Sequence, residues 1–188
     1  MKKNIYIELN NIIRDINTKT VQVYKSDNPE KEFEDYKGED LQEYLGVEST
    51  EELIEFMYVE APMRIFGYAG ESEEGVSFMV NEFYKKYRDS HNVFIFSNEI
   101  EKSKPATLMF LARMGILIDN IKFFPLKEFI DVNEKADIII TNNENIINVG
   151  ESTYITINKK ESDNEKIIPV TSFKELVEDE YIERNEFA

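Results

Sequence analysis

Three consecutive isoleucines, Ile138-Ile139-Ile140, stand between Ala136-Asp137 and Thr141-Asn142-Asn143. Successive side chains of a strand point to opposite faces, so a run without a polar member has to be covered on both sides. That restricts the chain to folds in which other layers pack on each face of a sheet. The pattern recurs where Ile5-Tyr6-Ile7 runs into Glu8 and where Val93-Phe94-Ile95-Phe96 runs into Ser97. These runs are too short and too rich in β-branched or aromatic residues for helices, so 4–9, 92–96 and 137–140 read as strands. Residues 121–124 and 154–157 read the same way. Thr20-Val21-Gln22-Val23-Tyr24 alternates and is expected to be a further short strand.

Helical patterns fall between these runs. Residues 39–45 end at Gly46, and 51–59 follow Ser49 and Thr50, two N-cap candidates, with Glu51 and Glu52 placed where the helix dipole favours acids. Val76, Met79, Val80, Phe83, Tyr84 and Tyr87 form a stripe at helical spacing. Residues 104–114 carry Pro105 in the first turn and Gly115 just past the end, and 172–180 form a closing helix. Polar stretches at 26–38 and 67–75 read as loops. Strand–helix alternation of this kind predicts an α/β fold, a mostly parallel sheet flanked by helices.

The 188 residues, 41% of them apolar, suffice for one domain with a real core. No apolar run approaches the length of a membrane span, so no membrane role is expected. The start Met1-Lys2-Lys3-Asn4 lacks the apolar core of a secretory leader, and cytoplasmic residence in the producing or host cell is the expectation. With no cysteine, disulfides and thiolate zinc sites are excluded. The formal charge of −16 disfavours direct nucleic-acid binding, which relies on Lys and Arg neutralising phosphates. Residues 27–60 hold thirteen Asp and Glu against Lys31 and Lys37, or −11 of that total. Such a segment is a solubilising face, a dock for a basic protein partner, or a DNA-like decoy.

In open parallel sheets ligands bind at the carboxyl ends of the strands. Those ends read Glu8-Leu9-Asn10-Asn11, then Ser97-Asn98, then Thr141-Asn142-Asn143. With the Ile12-Ile13-Arg14-Asp15 exit from the first, this order resembles the motifs of haloacid-dehalogenase-like (HAD) phosphatases, and the final frame is similar to that of the deoxyribonucleotidases among them. The resemblance spans roughly 4–180 and implies a Rossmannoid core, 1–13 and 76–188, with a small acidic helical cap insertion, 14–75, after the first strand. Small degenerate members of this kind are similar to proteins of bacteriophages and mobile elements.

The family writes its first motif as Asp-x-Asp-Gly, with a nucleophile, a general acid/base and a glycine for the turn. Here those positions hold Glu8, Asn10 and Asn11. The resemblance implies a phosphoryl-binding role for Ser97, with Asn98 and Asn11 beside it. Lys127 is the third-motif lysine it points to, with Lys102 and Lys104 as alternatives. It places Mg²⁺ at Glu8, Asn142 and Asn143, where the last two stand for acids. Glu for Asp moves the carboxylate by about 1 Å, which costs on the order of a hundredfold through misalignment. Asn10 cannot exchange a proton. Mg²⁺ favours hard oxygens that include carboxylates, and only Glu8 remains.

A degenerate, binding-only domain is therefore the expectation, taking a protein partner or a small phosphorylated ligand and no cofactor. Residual Mg²⁺-dependent hydrolysis of nucleotides is the alternative. The same residues also have plain structural readings: Ser97 as a helix cap, Asn142 and Asn143 as turn formers, Lys127 as surface charge and His91 as a loop residue.

Overall fold

In the computed structural model, residues 2–100, 102–147, 150, 152–159, 162, 164–179 and 181–182 are described, and the side chains of Leu126, Lys127 and Phe129 lie outside that description. Strand β1 (Asn4–Glu8) alternates its side chains between two layers. Ile5 and Ile7 join the larger apolar core, and Tyr6 faces the opposite one. It pairs in parallel with β4 (Asn92–Ser97) on one side and with β6 (Ile138–Ile140) on the other. The sheet extends through β5 (Ile121–Phe123) beyond β4, and through β7 (Thr153–Ile157) and β8 (Ile167–Val170) beyond β6. The order is β5-β4-β1-β6-β7-β8, with every pairing parallel.

Helices α4 (Val76–Tyr87), α5 (Ser103–Arg113) and α7 (Phe173–Glu178) supply the larger core with Val80, Phe83, Phe110, Phe173 and Leu176. A 3-10 helix (Leu126–Glu134) and α6 (Glu144–Ile147) cover the other face with Val132, Ile146 and Ile147. Ile138–Ile140 is buried throughout, as its composition demands. The mostly parallel sheet between helices is the expected α/β fold.

After β1 the chain makes a tight turn, closed by Ile13 N–H and Arg14 N–H donating to the Leu9 carbonyl. It then enters a two-residue strand, β2 (Arg14–Asp15), which pairs antiparallel with β3 (Gly70–Glu71). Between these two strands lie α1 (Ile16–Asp27), α2 (Leu41–Leu45), α3 (Thr50–Glu55) and two π-helical turns (Phe56–Glu60 and Met63–Gly67). This inserted helical region has its own apolar cluster, built on Val23, Tyr24, Phe56, Tyr58, Ile65 and Phe66. No helix among the described residues is long and apolar enough to cross a membrane.

One expectation is corrected. Residues 20–24 are not a strand; they lie inside α1. Asp15 caps that helix by accepting from Thr18 N–H, and the Thr20 hydroxyl donates to the Ile16 carbonyl one turn back. Ile16, Thr20, Val23 and Tyr24 are buried at helical spacing, and this tertiary burial outweighs the local alternation. Strands β2, β3 and β8, helix α6, the π-helical turns and the 3-10 helix are additions to the sequence reading, and β3 lies within 67–75, which the sequence reads as a loop. Capping agrees elsewhere: Ser49 caps α3, Gly46 closes α2 in the left-handed region, and Gly115 does so just past α5. His91 lies between elements, as expected, and is buried edge-on against Tyr87.

Candidate functional site

The chain reverses its direction of travel across the sheet at β1, so the carboxyl ends of β4, β1 and β6 lie side by side. Glu8, Asn10, Asn11, Asn142 and Asn143 line a cleft there of about 160 Å³. The structure thus brings the first and last candidate strand ends together. The cleft is small beside the roughly 300 Å³ or more usual for small-molecule sites.

Glu8 is 6% exposed, and the Thr141 hydroxyl donates to its Oε2. Burial pushes its carboxyl up to about 7, against the opposing pull of the Thr141 bond. Asn11 is exposed in the left-handed region (φ 63°), where the family motif has glycine, and its N–H donates to the Arg14 carbonyl. Asn142 accepts at Oδ1 from Ile157 N–H (2.9 Å), tying the end of β6 to the end of β7. Asn143 donates its N–H to Thr141 Oγ1 and accepts at Oδ1 from Asn145 N–H (3.0 Å), so it starts α6. Asn143 thus serves as a turn group, and Asn142 as a tie between two strand ends.

The other candidates belong to a closed network beneath the cleft. Asn10 Oδ1 accepts from Arg14 Nε (3.1 Å) and Nη2 (2.5 Å), and its amide donates to Asn98 Oδ1 (3.0 Å). Ser97 is fully buried and donates to Glu99 Oε1 (2.8 Å); it does not cap a helix. Glu99 Oε1 also accepts from Thr107 Oγ1 (2.9 Å) and forms an ion pair with Arg14 Nη2 (2.7 Å). Arg14 Nη1 donates to Thr107 Oγ1 (2.6 Å) and to the Phe66 carbonyl (3.1 Å). Both members of the pair are buried. The loss of water pulls the Arg14 guanidinium's pKa down, and the Glu99 charge pushes back. Tyr58, from the insert, feels the same centre: burial and then the Glu99 charge raise its hydroxyl's pKa.

Lys127 lies in the 3-10 helix, with its side chain outside the described ones. Lys102 is exposed ahead of α5, and Lys104 Nζ lies over the Phe123 ring (5.8 Å to its centroid). Neither lines the cleft. Arg14, Glu99, Thr107 and Thr141 were not candidates on sequence. The one signal was a charged residue in the otherwise apolar Ile12-Ile13-Arg14 exit.

The residues present do not fit a divalent metal in the cleft. The side-chain carbonyl oxygens of Asn10, Asn142 and Asn143 all accept hydrogen bonds from the protein, and Glu8 is the only carboxylate in the lining. Among the described residues, no three His, Cys, Asp or Glu side chains gather as a metal-holding group.

No protein-family profile matches the chain, and no curated protein sequence matches it. Solved structures do. A haloacid dehalogenase-like hydrolase from Streptococcus pneumoniae superposes with a TM-score of 0.58 at 11% identity, covering 94% of this chain and 97% of that one. A HAD-superfamily hydrolase from Geobacter sulfurreducens gives 0.56 at 9% identity, over 94% and 95%. A haloacid dehalogenase-like hydrolase from Xanthomonas campestris gives 0.53 at 10%, over 94% and 93%. The chain therefore has the fold of HAD-superfamily hydrolases, and at these identities the likeness concerns fold alone.

Proposed function

We propose that this chain keeps a hydrolase-like fold without phosphoryl-transfer turnover and acts by binding a basic protein partner through the acidic face of 27–60. One observation carries the loss of turnover. The groups that would hold metal, bind phosphate or move a proton at the strand ends, on Asn10, Ser97, Asn142 and Asn143, are bonded to the protein itself. Preorganised groups aimed at the reacting atoms are what such catalysis requires. Engagement of Ser97 also favours a protein partner over a phosphorylated ligand. The −11 charge of 27–60 supplies complementarity to a Lys/Arg-rich surface.

Phosphate release from p-nitrophenyl phosphate and nucleoside monophosphates, with Mg²⁺ or Mn²⁺, tests the first half. The expected result is no release above buffer, and turnover that Glu8→Ala abolishes would reject it. Calorimetric titration with a lysine-rich peptide tests the second half. Binding is expected for the wild-type chain and not for a variant with Glu32, Glu34, Asp35 and Glu39 made neutral; equal binding by both would reject the acidic face.

One observation favours a second reading, residual hydrolysis of nucleotides. Glu8 lines the cleft with its carboxyl raised to about 7, in the range suited to general acid–base work. That reading requires Mg²⁺- or Mn²⁺-dependent release by the wild-type chain at a rate that changes with pH near that value; no release by the wild-type chain, with a gain on restoring Asp at positions 8, 10 and 142, would reject it.

A further inference from the structure

We infer that Asn10, Phe66, Glu99 and Thr107 form an oxygen-lined cation site that the chain fills with its own guanidinium, Arg14. This resident cation takes over the charge balancing that a divalent metal would supply at this end of the sheet.

All five N–H groups of Arg14 are used, and every acceptor is an oxygen: Asn10 Oδ1 twice, the Phe66 carbonyl, Thr107 Oγ1 and Glu99 Oε1. An amide oxygen, a backbone carbonyl, a hydroxyl and a carboxylate are the hard donors a divalent cation would itself select. They come from four places: the turn after β1, the π-helical end of the insert, the loop after β4, and α5. No two of them share an element, and Arg14 is bonded to all four. Arg14 and Glu99 are closed off from water. Without a cation the oxygens would face one another in a dry space, an arrangement with a heavy desolvation penalty.

Two further features mark the site as built for positive charge. The Phe66 and Phe110 rings lie 5.0 and 5.3 Å from the guanidinium carbon, close enough for cation–π attraction. Glu99 Oε2 is buried with no hydrogen-bond partner, so the site retains acceptor capacity beyond what Arg14 uses. The adjoining cleft shows the converse, since the amide oxygens of Asn142 and Asn143 are already bonded to the protein.

Thermal unfolding of the wild-type chain and of Arg14→Ala, each in EDTA, MgCl₂, MnCl₂ or methylguanidinium chloride at one ionic strength of about 0.15 M set with NaCl, tests the inference. The wild-type midpoint is expected to be the same in all four. Arg14→Ala is expected to melt about 10 °C lower, as for a broken buried pair. It should recover part of that shift with methylguanidinium or Mn²⁺ at about 10 mM, through mass action on the folded state. A wild-type midpoint that falls in EDTA or rises with Mg²⁺ would overturn the inference. An Arg14→Ala midpoint equal to wild type, or one that no cation raises, would also overturn it.

Should Arg14→Ala not fold, the double variant Arg14→Met/Glu99→Met decides. Removing both charges at nearly constant volume is expected to restore a midpoint close to wild type with no response to cations. A double variant that also fails to fold, or melts far below wild type, would assign the effect to packing instead. These midpoints are independent of the phosphate-release and peptide-titration results.

Discussion

Glu8 combines burial with a carboxyl raised from 4.5 to about 7. Below the lower value the folded and unfolded chains both hold the proton. Between the two values only the folded chain does, so stability falls as pH rises through that window and levels off above it. At about 1.4 kcal/mol per unit the whole loss is on the order of 3 kcal/mol. Glu8→Gln removes the titration and keeps a hydrogen-bonding side chain. We expect the wild-type midpoint to drop between about pH 5 and pH 7.5 while that of Glu8→Gln changes much less; parallel curves would place the titrating group elsewhere. At this scale the sequence exposed only half of the site. Glu8, Asn10 and the Asn142-Asn143 pair were visible because they end apolar runs. Arg14 and Glu99 were not, since the bond that gives both their meaning joins residues 85 apart.

The elements were legible where burial and local pattern agree. Ile138–Ile140 and the stripe of α4 read directly, one from covering on both faces and the other from its 3.6-residue period. Residues 20–24 misled because Thr, Val and Tyr favour strands and happen to alternate, whereas the deciding features lie just upstream. These are the Asp15 cap and Ile16, which opens the buried face of α1. Replacing the cap tests that account. Asp15→Ala should lower stability by about 1 kcal/mol, equivalent to a midpoint shift of roughly 2–4 °C. Asp15→Asn, which keeps an acceptor at the cap, should restore most of it; an unchanged Asp15→Ala midpoint would show that tertiary packing alone holds α1. Strand β8 escaped notice because Pro169 interrupts Ile167-Ile168-Pro169-Val170, and proline argues against a central strand.

For the molecule as a whole, the α/β class followed from strand–helix alternation, whereas the extent of engagement at the strand ends needed coordinates. Charge also belongs to this scale. A net −16 with −11 of it in 27–60 makes the folded chain repel itself, and salt screens such repulsion within about 10 Å at 0.1 M. Raising NaCl from about 0.01 to 0.15 M should therefore raise the unfolding midpoint by a few degrees. Neutralising Glu32, Glu34, Asp35 and Glu39 should reduce that salt response; a midpoint indifferent to salt would mean that the acids are too well solvated to matter.

Pro169 has a consequence that reaches beyond a single copy of the chain. Among the described residues strand β8 ends the sheet, and the Lys166 and Val170 carbonyls accept hydrogen bonds from Tyr154 N–H in β7 and from Lys159 N–H, two residues past it. Inward and outward groups alternate along a strand, which places position 169 on the outer side, where most residues would present a free N–H to a neighbour. Proline presents none. At that margin an incoming strand from another molecule would find a gap in its ladder, a safeguard against stacking sheet to sheet into aggregates.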